Sequence, residues 1–215
     1  MIAVLGSRHD PAASALAEAA QGRLISAEDL CSPGWVLEEG AAGGWFVAGG
    51  ERSAVADLTG VLVRRSAVVA EELPWMAEED RAYVAAEINA FLVAWLSAMP
   101  CPVFNRPTPT SLCGPGWSQI HWQHAAARAG VIWSTSDADR DVHDIVVCRR
   151  TTWGARSARQ ARAGRLLARA SGTDLLGIRF SDDAVVAVTV QPSLTAPAAR
   201  ALVLGQLASD RKQVS

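Results

Sequence analysis

The feature of this chain that most constrains its fold is an alternation of short apolar runs with stretches of helical periodicity. The apolar run at residues 2–5 ends in Gly6, and helical spacing follows at residues 11–20, where Asp10 can cap the helix. The run at 61–63 is likewise followed by a long helical pattern at 78–98. Strands separated by helices pair in parallel through right-handed crossovers. We therefore expect an α/β protein with an open, largely parallel sheet flanked by helices.

The rest of the chain predicts a second, smaller unit. A charged, turn-rich stretch at 134–141 is typical of a linker, so we expect an α/β domain at 1–135 and a small α+β unit at 142–210. Strands are predicted at 24–25, 102–104, 131–133, 144–148, 175–180 and 184–190, a hairpin from 35–37 and 45–47, and helices at 118–129, 157–170 and 197–208.

Composition excludes several classes of function. A net charge of -2 provides no basic footprint, so no nucleic-acid partner is expected. The longest apolar stretch, 90–99, is shorter than the ~20 residues that span a bilayer, so no membrane role is expected. The first residues do not resemble a secretory signal, which predicts a cytoplasmic protein. Lys212 is the only lysine, so a mechanism that needs an internal lysine is excluded.

Polar side chains follow three of the predicted strands at the points where the strands end. Since ligands of open parallel sheets collect beyond the carboxyl ends of the strands, these side chains form a candidate site. Guanidinium groups bind carboxylates and phosphates with two parallel hydrogen bonds, which favours an anionic ligand. Alternatively, the arginines are solvated or pair with Asp57, Glu71 and Glu72. The candidate residues are Arg8, Arg64, Arg65, Asn105 and Arg106.

A second candidate segment, residues 112–122, has glycines beside the start of a helix, where free backbone N–H groups can take an anion. Its spacing matches neither the P-loop nor the dinucleotide fingerprint. We include Trp117 and His121 among the candidate ligand-binding residues. The alternative is a structural turn that buries Trp117 and Trp122.

Three residues near this segment raise the question of a metal site. His121 and His124 lie one helical turn apart, and Cys113 precedes them. A zinc site needs three or four ligands, and no further partner follows at a familiar spacing, so we expect no metal. A catalytic pair of Cys113 and His121 is possible and has no other support in the sequence.

Four segments together resemble the N-terminal half of ATP-grasp proteins, above all the ligases similar to ribosomal-protein S6 modification enzymes and peptide maturases. The resemblance covers roughly the first two thirds of the chain. It implies a pre-ATP-grasp-like domain in which an arginine-bearing strand, a helix and a short strand ending in Asn precede the nucleotide-binding portion. The segments are IAVLGSRHDPAASALAEA, VLVRRSAVVAEELPWM, EINAFLVAWLSAMPCPVFNRPTPTSLCGPGW and WQHAAARAGV.

Two later segments, DIVVCRRTTWGA and DLLGIRFSDDAVVAVTVQPSLT, are similar to a central strand and to the closing strand pair of that family. The family pattern places two metal-binding acids and an asparagine in the closing pair. Here those positions hold Arg179, Thr189 and Gln191. The family also clamps nucleotide phosphates with lysines from a central subdomain, and the corresponding short interval here has none. The resemblance thus implies a shortened protein with no cofactor and no catalytic residue of its own.

These observations lead to one main hypothesis and two alternatives. The main hypothesis is a non-catalytic ATP-grasp-like accessory protein, a pseudoenzyme that binds an acidic peptide, a metabolite or a partner enzyme in a bacterial biosynthetic pathway such as peptide modification. A homo- or hetero-oligomer is compatible with it. One alternative is an ATP-dependent carboxylate–amine ligase whose site is completed by a second chain, with Arg64, Arg65 and Arg106 orienting a carboxylate and His121 as acid or base. The other is a metal-dependent enzyme using His121, His124 and Cys113.

Overall fold

The computed structural model describes residues 1–38, 43–135 and 141–214, with the backbone alone at 210–214. It divides into two compact units, Met1–Cys113 with Leu207–Ser215, and Gly114–Gln206. Much of the predicted linker lies outside the described residues, and the predicted domain bounds of 1–135 and 142–210 stay a prediction. No helix among the described residues combines the length and apolarity needed to cross a bilayer.

The chain alternates strands and helices along its first half and ends in an antiparallel α+β region. The strands are β1 (Ile2–Leu5), β2 (Arg23–Ile25), β3 (Val36–Leu37), β4 (Gly44–Ala48), β5 (Glu51–Ala54), β6 (Gly60–Val63), β7 (Val103–Phe104), β8 (Val142–Cys148), β9 (Thr151–Trp153), β10 (Leu175–Ser181) and β11 (Ala184–Thr189). The helices are α1 (Pro11–Ala19), α2 (Ala27–Leu30), α3 (Glu78–Ala98), α4 (Gln119–Arg128), α5 (Ala158–Ser171) and α6 (Pro197–Val214).

The first unit is built on a four-stranded parallel sheet of order β2-β1-β6-β7. All three neighbouring pairs are parallel, with Ala3 opposite both Arg23 and Val61, and Val61 opposite Val103. β1, β6 and β7 are mainly buried apolar runs, as expected for a parallel sheet covered on its faces, whereas β2 begins with Arg23 and is partly buried. The predicted α/β class with a largely parallel sheet is confirmed.

A second, three-stranded antiparallel sheet, β3-β4-β5, completes the first unit. The predicted hairpin is confirmed by the pairing of Val36 with Trp45, although part of its connection, residues 39–42, lies outside the described residues. The rings of Trp35 and Trp95 meet edge to face at 5.3 Å, and Phe46 and Phe91 join them. Trp95 is fully buried, so it belongs to the core as its helical position indicates.

The second unit carries a four-stranded antiparallel sheet of order β11-β10-β8-β9. α5 approaches this sheet closely, since a Cβ at Gly164 would lie 2.7 Å from a Val147 methyl group. Leu167, Ile178 and Phe180 are among the side chains of the shared core. The predicted strand pair at 175–180 and 184–190 is confirmed by the antiparallel ladder of β10 and β11.

The predicted strand at 131–133 is wrong. Trp133 makes only an isolated bridge with Val185, where the chain exchanges two backbone hydrogen bonds with β11. Gly130, with a φ of 66°, ends α4 directly before this run. A short apolar run does not by itself distinguish a strand from an extended connection.

The glycine between α1 and β2 provides a test of the parallel sheet. A Cβ at Gly22 would lie 2.1 Å from the backbone carbonyl oxygen of Ile2, which cannot move without disturbing β1. We expect Gly22→Ala to lower the free energy of unfolding by about 3 kcal/mol, measured by urea denaturation. The control is Gly205→Ala within α6, where a Cβ meets nothing within 4 Å. This variant should raise stability by about 0.5–1 kcal/mol, and similar destabilisation by both substitutions would contradict the packing described.

Candidate functional site

The carboxyl edge of the parallel sheet has the geometry of a ligand site. β2 lies on one side of β1 and β6 on the other, so the strand order reverses at β1 and β6. In open parallel sheets, ligands bind beyond the carboxyl ends at such a reversal. The loops that leave the sheet there carry Asp10 after β1 and Arg64 with Arg65 after β6.

Arg64 links the two loops. It is buried, and its Nε donates to Oδ2 of Asp10 at 2.7 Å. The other carboxylate oxygen of Asp10 accepts from the backbone N–H of Ala12 at 2.9 Å, which caps α1. One carboxylate therefore fixes both the start of α1 and the guanidinium at the end of β6.

Arg65, the next residue after Arg64, has hydrogen-bond donors that are not used by the described part of the chain. Its side chain is only 5% exposed and forms an ion pair with Glu72, whose second oxygen accepts from the Val69 backbone N–H. Within the described residues, Nε and Nη1 of Arg65 are buried and have no hydrogen-bond partner. Burial lowers the pKa of the Arg65 guanidinium, and Glu72 opposes that shift. Buried donors without an acceptor are costly, so this position favours an incoming acceptor, above all an anion.

Asn105 closes the edge after β7. It is buried, with a left-handed φ of 56°, and its amide Nδ2 lies 3.8 Å from the sulfur of Cys113. The Cys113 thiol donates to the Val63 carbonyl oxygen at 3.0 Å, so the loop after β7 is tied to the end of β6. Burial raises the pKa of Cys113 to about 11, which keeps the thiol protonated at neutral pH. A protonated thiol is a poor nucleophile and metal ligand, which does not favour the hypotheses that use Cys113.

The other two arginines predicted at this edge bind elsewhere. Arg8 forms an exposed ion pair with Glu28 at 3.3 Å. Arg106 donates to the carbonyl oxygens of Leu96 at 3.2 Å and Met99 at 3.5 Å, and so caps the carboxyl end of α3. Three of the predicted residues, Arg64, Arg65 and Asn105, are thus buried at the edge. The other two, Arg8 and Arg106, bind other partners. Ligand binding by any of them stays a prediction.

The second unit holds the remaining two candidates, Trp117 and His121. The ring of Trp117 packs against that of Trp122 at 4.8 Å, in line with the structural alternative for this segment. His121 lies at the start of α4, where its Nδ1 is 3.3 Å from the Ser118 backbone nitrogen and 2.9 Å from the Ser118 hydroxyl oxygen. Both candidates line a cleft of about 490 Å³, together with His124 and Arg128.

One of the three positions that the sequence resemblance assigns to metal ligands holds an arginine that forms an ion pair. Arg179 on β10 donates to both carboxylate oxygens of Asp144 on β8, at 2.9 and 3.1 Å. Thr189 accepts from the backbone N–H of Gln191 at 3.1 Å. Arg179, Thr189 and Asp144 line one cleft of about 290 Å³. Within the described part of the chain, no three His, Cys, Asp or Glu side chains come together as metal ligands.

Two acidic residues pair with the arginines of the edge, and the sequence analysis named only one of them as a possible partner. Asp10 is the α1 cap as expected, but its pairing with Arg64 was not foreseen. This pairing could have been predicted from the position of Asp10 on the loop after β1, because that loop lies beside the end of β6 in the parallel sheet. Glu72 was one of the possible partners that the sequence analysis named for the arginines, and in the structure it forms an ion pair with Arg65.

Comparison with known proteins gives a match in structure alone, since no protein-family model and no curated protein sequence matches the chain. The ATP-grasp ligase PsnB complexed with minimal precursor, Mg and ADP is 13% identical, with a TM-score of 0.67 over 99% of this chain and 97% of that one. The macrocyclase MdnC bound with precursor peptide MdnA, from Microcystis aeruginosa MRC, is 9% identical, with a TM-score of 0.66 over 98% and 100%. This chain has the ATP-grasp fold.

A further ATP-grasp structure supports the same assignment. The RiPP-associated ATP-grasp ligase of Chryseobacterium gregarium, in complex with ADP and a leader and core peptide, is 9% identical, with a TM-score of 0.62 over 100% of this chain and 97% of that one. At such identities the likeness establishes the fold. The ATP-grasp resemblance noted in the sequence is thereby confirmed for the fold.

The buried thiol at the edge predicts a pH dependence of stability. In the folded chain the pKa of Cys113 is about 11, above its ordinary value of 9.0. The protonated thiol therefore stabilises the fold fully below about pH 9, and this contribution is lost as the pH rises through 11. Relative to Cys113→Ala, the wild-type chain should lose about 2 kcal/mol between pH 9 and 11, measured by denaturant unfolding. The other cysteines are present in both proteins, so parallel pH profiles would show that Cys113 does not titrate as described.

Proposed function

We propose that this chain is a non-catalytic ATP-grasp-like protein of the cytoplasm that binds an acidic peptide or metabolite and acts beside a partner enzyme in a biosynthetic pathway. The observation that carries the proposal is the buried guanidinium of Arg65 at the strand-order reversal of the parallel sheet. It supports a binding function because its Nε and Nη1 have no acceptor within the described residues.

The ligand side of the proposal follows from the geometry of the arginine. Glu72 neutralises the charge of Arg65 but accepts from only one nitrogen of its guanidinium group, Nη2. The unused Nε–H and Nη1–H of Arg65 point in different directions, so an incoming carboxylate can accept a charge-assisted hydrogen bond from one of them. Arg64 and Asn105, buried at the same edge, provide further polar groups for it.

The peptide class is supported by what the fold neighbours bind. PsnB is known complexed with the precursor peptide PsnA2, and MdnC bound with the precursor peptide MdnA. We infer that this chain also receives a peptide, through acidic side chains or a terminal carboxylate. Peptide modification then belongs to the partner enzyme.

The non-catalytic side of the proposal rests on the second unit. Magnesium is bound by oxygen ligands, mainly carboxylates, and the positions expected for them hold a guanidinium, a hydroxyl and an amide. The one carboxylate beside them, Asp144, is bound by Arg179. These groups do not fit a magnesium site, and without the metal or a lysine clamp the charge of a transferring phosphoryl group is not neutralised.

Arg65→Lys tests the ligand site. Lysine keeps the positive charge beside Glu72, so the fold should persist, but it replaces a planar fork with a point charge. We expect binding of triglutamate, measured by calorimetry, to weaken roughly tenfold or more, since hydrogen bonds to charged groups contribute about 1.5–3 kcal/mol.

Arg81→Lys is the matched control, because Arg81 donates to the backbone carbonyl oxygens of Met76 and Pro74 rather than lying at the sheet edge. It should bind triglutamate within twofold of the wild-type chain. Unchanged affinity in Arg65→Lys, with thermal unfolding unchanged, would place the ligand elsewhere and refute the role of Arg65.

Titration of the chain with ATP and magnesium tests whether it binds the nucleotide that catalysis would need. We expect no binding heat and no shift in Tm at millimolar nucleotide, because Arg179 occupies the position of a metal ligand and repels Mg²⁺. Micromolar binding would support the alternative of a ligase completed by a second chain, in which arginines replace the lysine clamp. Arg179→Ala would then be compared, since relief of the repulsion should strengthen that binding.

A further inference from the structure

The outward face of α5 carries a row of arginines. Arg162, Arg165 and Arg169 are exposed, and the spacing of three and four residues places them on one side of the helix. The opposite side, with Ala163 and Leu167, is buried in the core of the second unit. Seven residues of helix span about 10 Å, so the three guanidinium groups form a short, straight row, here called the arginine ridge.

The arginine ridge differs from most of the other described arginines because its side chains have no partner among the described residues. Within residues 1–38, 43–135 and 141–209, no hydrogen bond or ion pair involves the side chain of Arg162, Arg165 or Arg169, and only the side chains of Arg128 and Arg150 share this property. On the same helix Arg159 binds Asp183. The remaining described arginines bind carboxylates, backbone carbonyl oxygens or an aromatic ring; these are Arg8, Arg23, Arg52, Arg64, Arg65, Arg81, Arg106, Arg149, Arg156, Arg179 and Arg200.

The arginine ridge destabilises α5 when the helix is considered by itself. Like charges three and four residues apart repel each other across the helix surface. Arg169 lies in the last turn, where the helix dipole favours a cation, but Arg162 and Arg165 lie further from that end. An arginine-rich composition accounts for arginine in place of lysine, but not for three adjacent cations without a carboxylate. The helix itself is fixed by the Ser157 cap and by Gly172, whose φ is 66°, so the row is presented on a rigid element.

We propose that the arginine ridge is a docking surface for an acidic helical segment of a partner protein. Charge complementarity selects the occupant: a helix with carboxylates at the same spacing of three and four residues places one opposite each guanidinium. A short straight row matches a helix better than a nucleic acid, whose phosphates call for a broader basic surface than a chain of net charge -2 offers. The proposal goes beyond ligand binding at the sheet edge and does not depend on it.

The test uses a labelled helical peptide of alanines with glutamates at positions i, i+3 and i+7, and fluorescence anisotropy on the full chain. The triple variant Arg162→Ala, Arg165→Ala and Arg169→Ala should bind the peptide roughly tenfold more weakly, since three exposed ion pairs are lost. The matched control removes the same charge from exposed arginines elsewhere, Arg52→Ala, Arg150→Ala and Arg156→Ala. It should bind within twofold of the wild-type chain.

Three outcomes overturn the proposal: equal weakening in both triple variants, equal binding of a peptide with lysines in place of glutamates, or tighter binding of a duplex oligonucleotide than of the acidic peptide. Raising the salt concentration should weaken the interaction, because the ridge is exposed. Arg65→Lys separates this site from the sheet edge. It should leave binding of the helical peptide unchanged, and the ridge variant should leave binding of triglutamate unchanged.

Discussion

The carboxyl edge of the parallel sheet depends on two buried, charged arginines, Arg64 and Arg65. A guanidinium removed from water needs a carboxylate close by, and Asp10 and Glu72 supply one each. Asp10 also caps α1, and Glu72 also binds the backbone of its own turn, so each ion pair orders a loop as well as a charge. The two arginines differ in how their donors are used. Arg65 keeps two buried nitrogens without an acceptor in the described residues, and for this reason we propose that the ligand binds at this arginine.

The location of this edge was predictable from the sequence, because the parallel sheet was. Short apolar runs alternating with helical patterns specify strand–helix–strand units, and parallel strands bring their carboxyl ends to one edge. The residues after β1, β6 and β7 follow from that argument alone. Periodicity does not, however, reveal which carboxylate a given arginine meets. Arg8 and Arg106 satisfy the same sequence rule as Arg64, yet the first binds Glu28 and the second caps α3.

Two of the elements that the sequence analysis missed are strands that depend on a neighbouring strand. β5 and β9 are short and polar, with residues such as Arg52 and Thr151, and each is a strand because it pairs with an apolar partner, β4 or β8. The error at 131–133 is the converse case, since an apolar run there finds only one bridge on β11. The same limit applies to the site. Trp117 and His121 were chosen for their segment, and their local contacts are a ring pair and a helix cap.

The ion pair between Arg179 and Asp144 shows how this fold can persist while its electrostatics change. The two residues lie directly opposite each other on β10 and β8, and their side chains are half exposed, so the pair adds little to stability. The sheet itself is maintained by the buried residues Ile145, Ile178 and Phe180 and by its backbone ladders. A change from a carboxylate to a guanidinium at such a position therefore leaves the architecture intact and reverses the charge that a cation would meet. We infer from this charge distribution that the chain binds an acidic partner rather than a metal nucleotide, as proposed above.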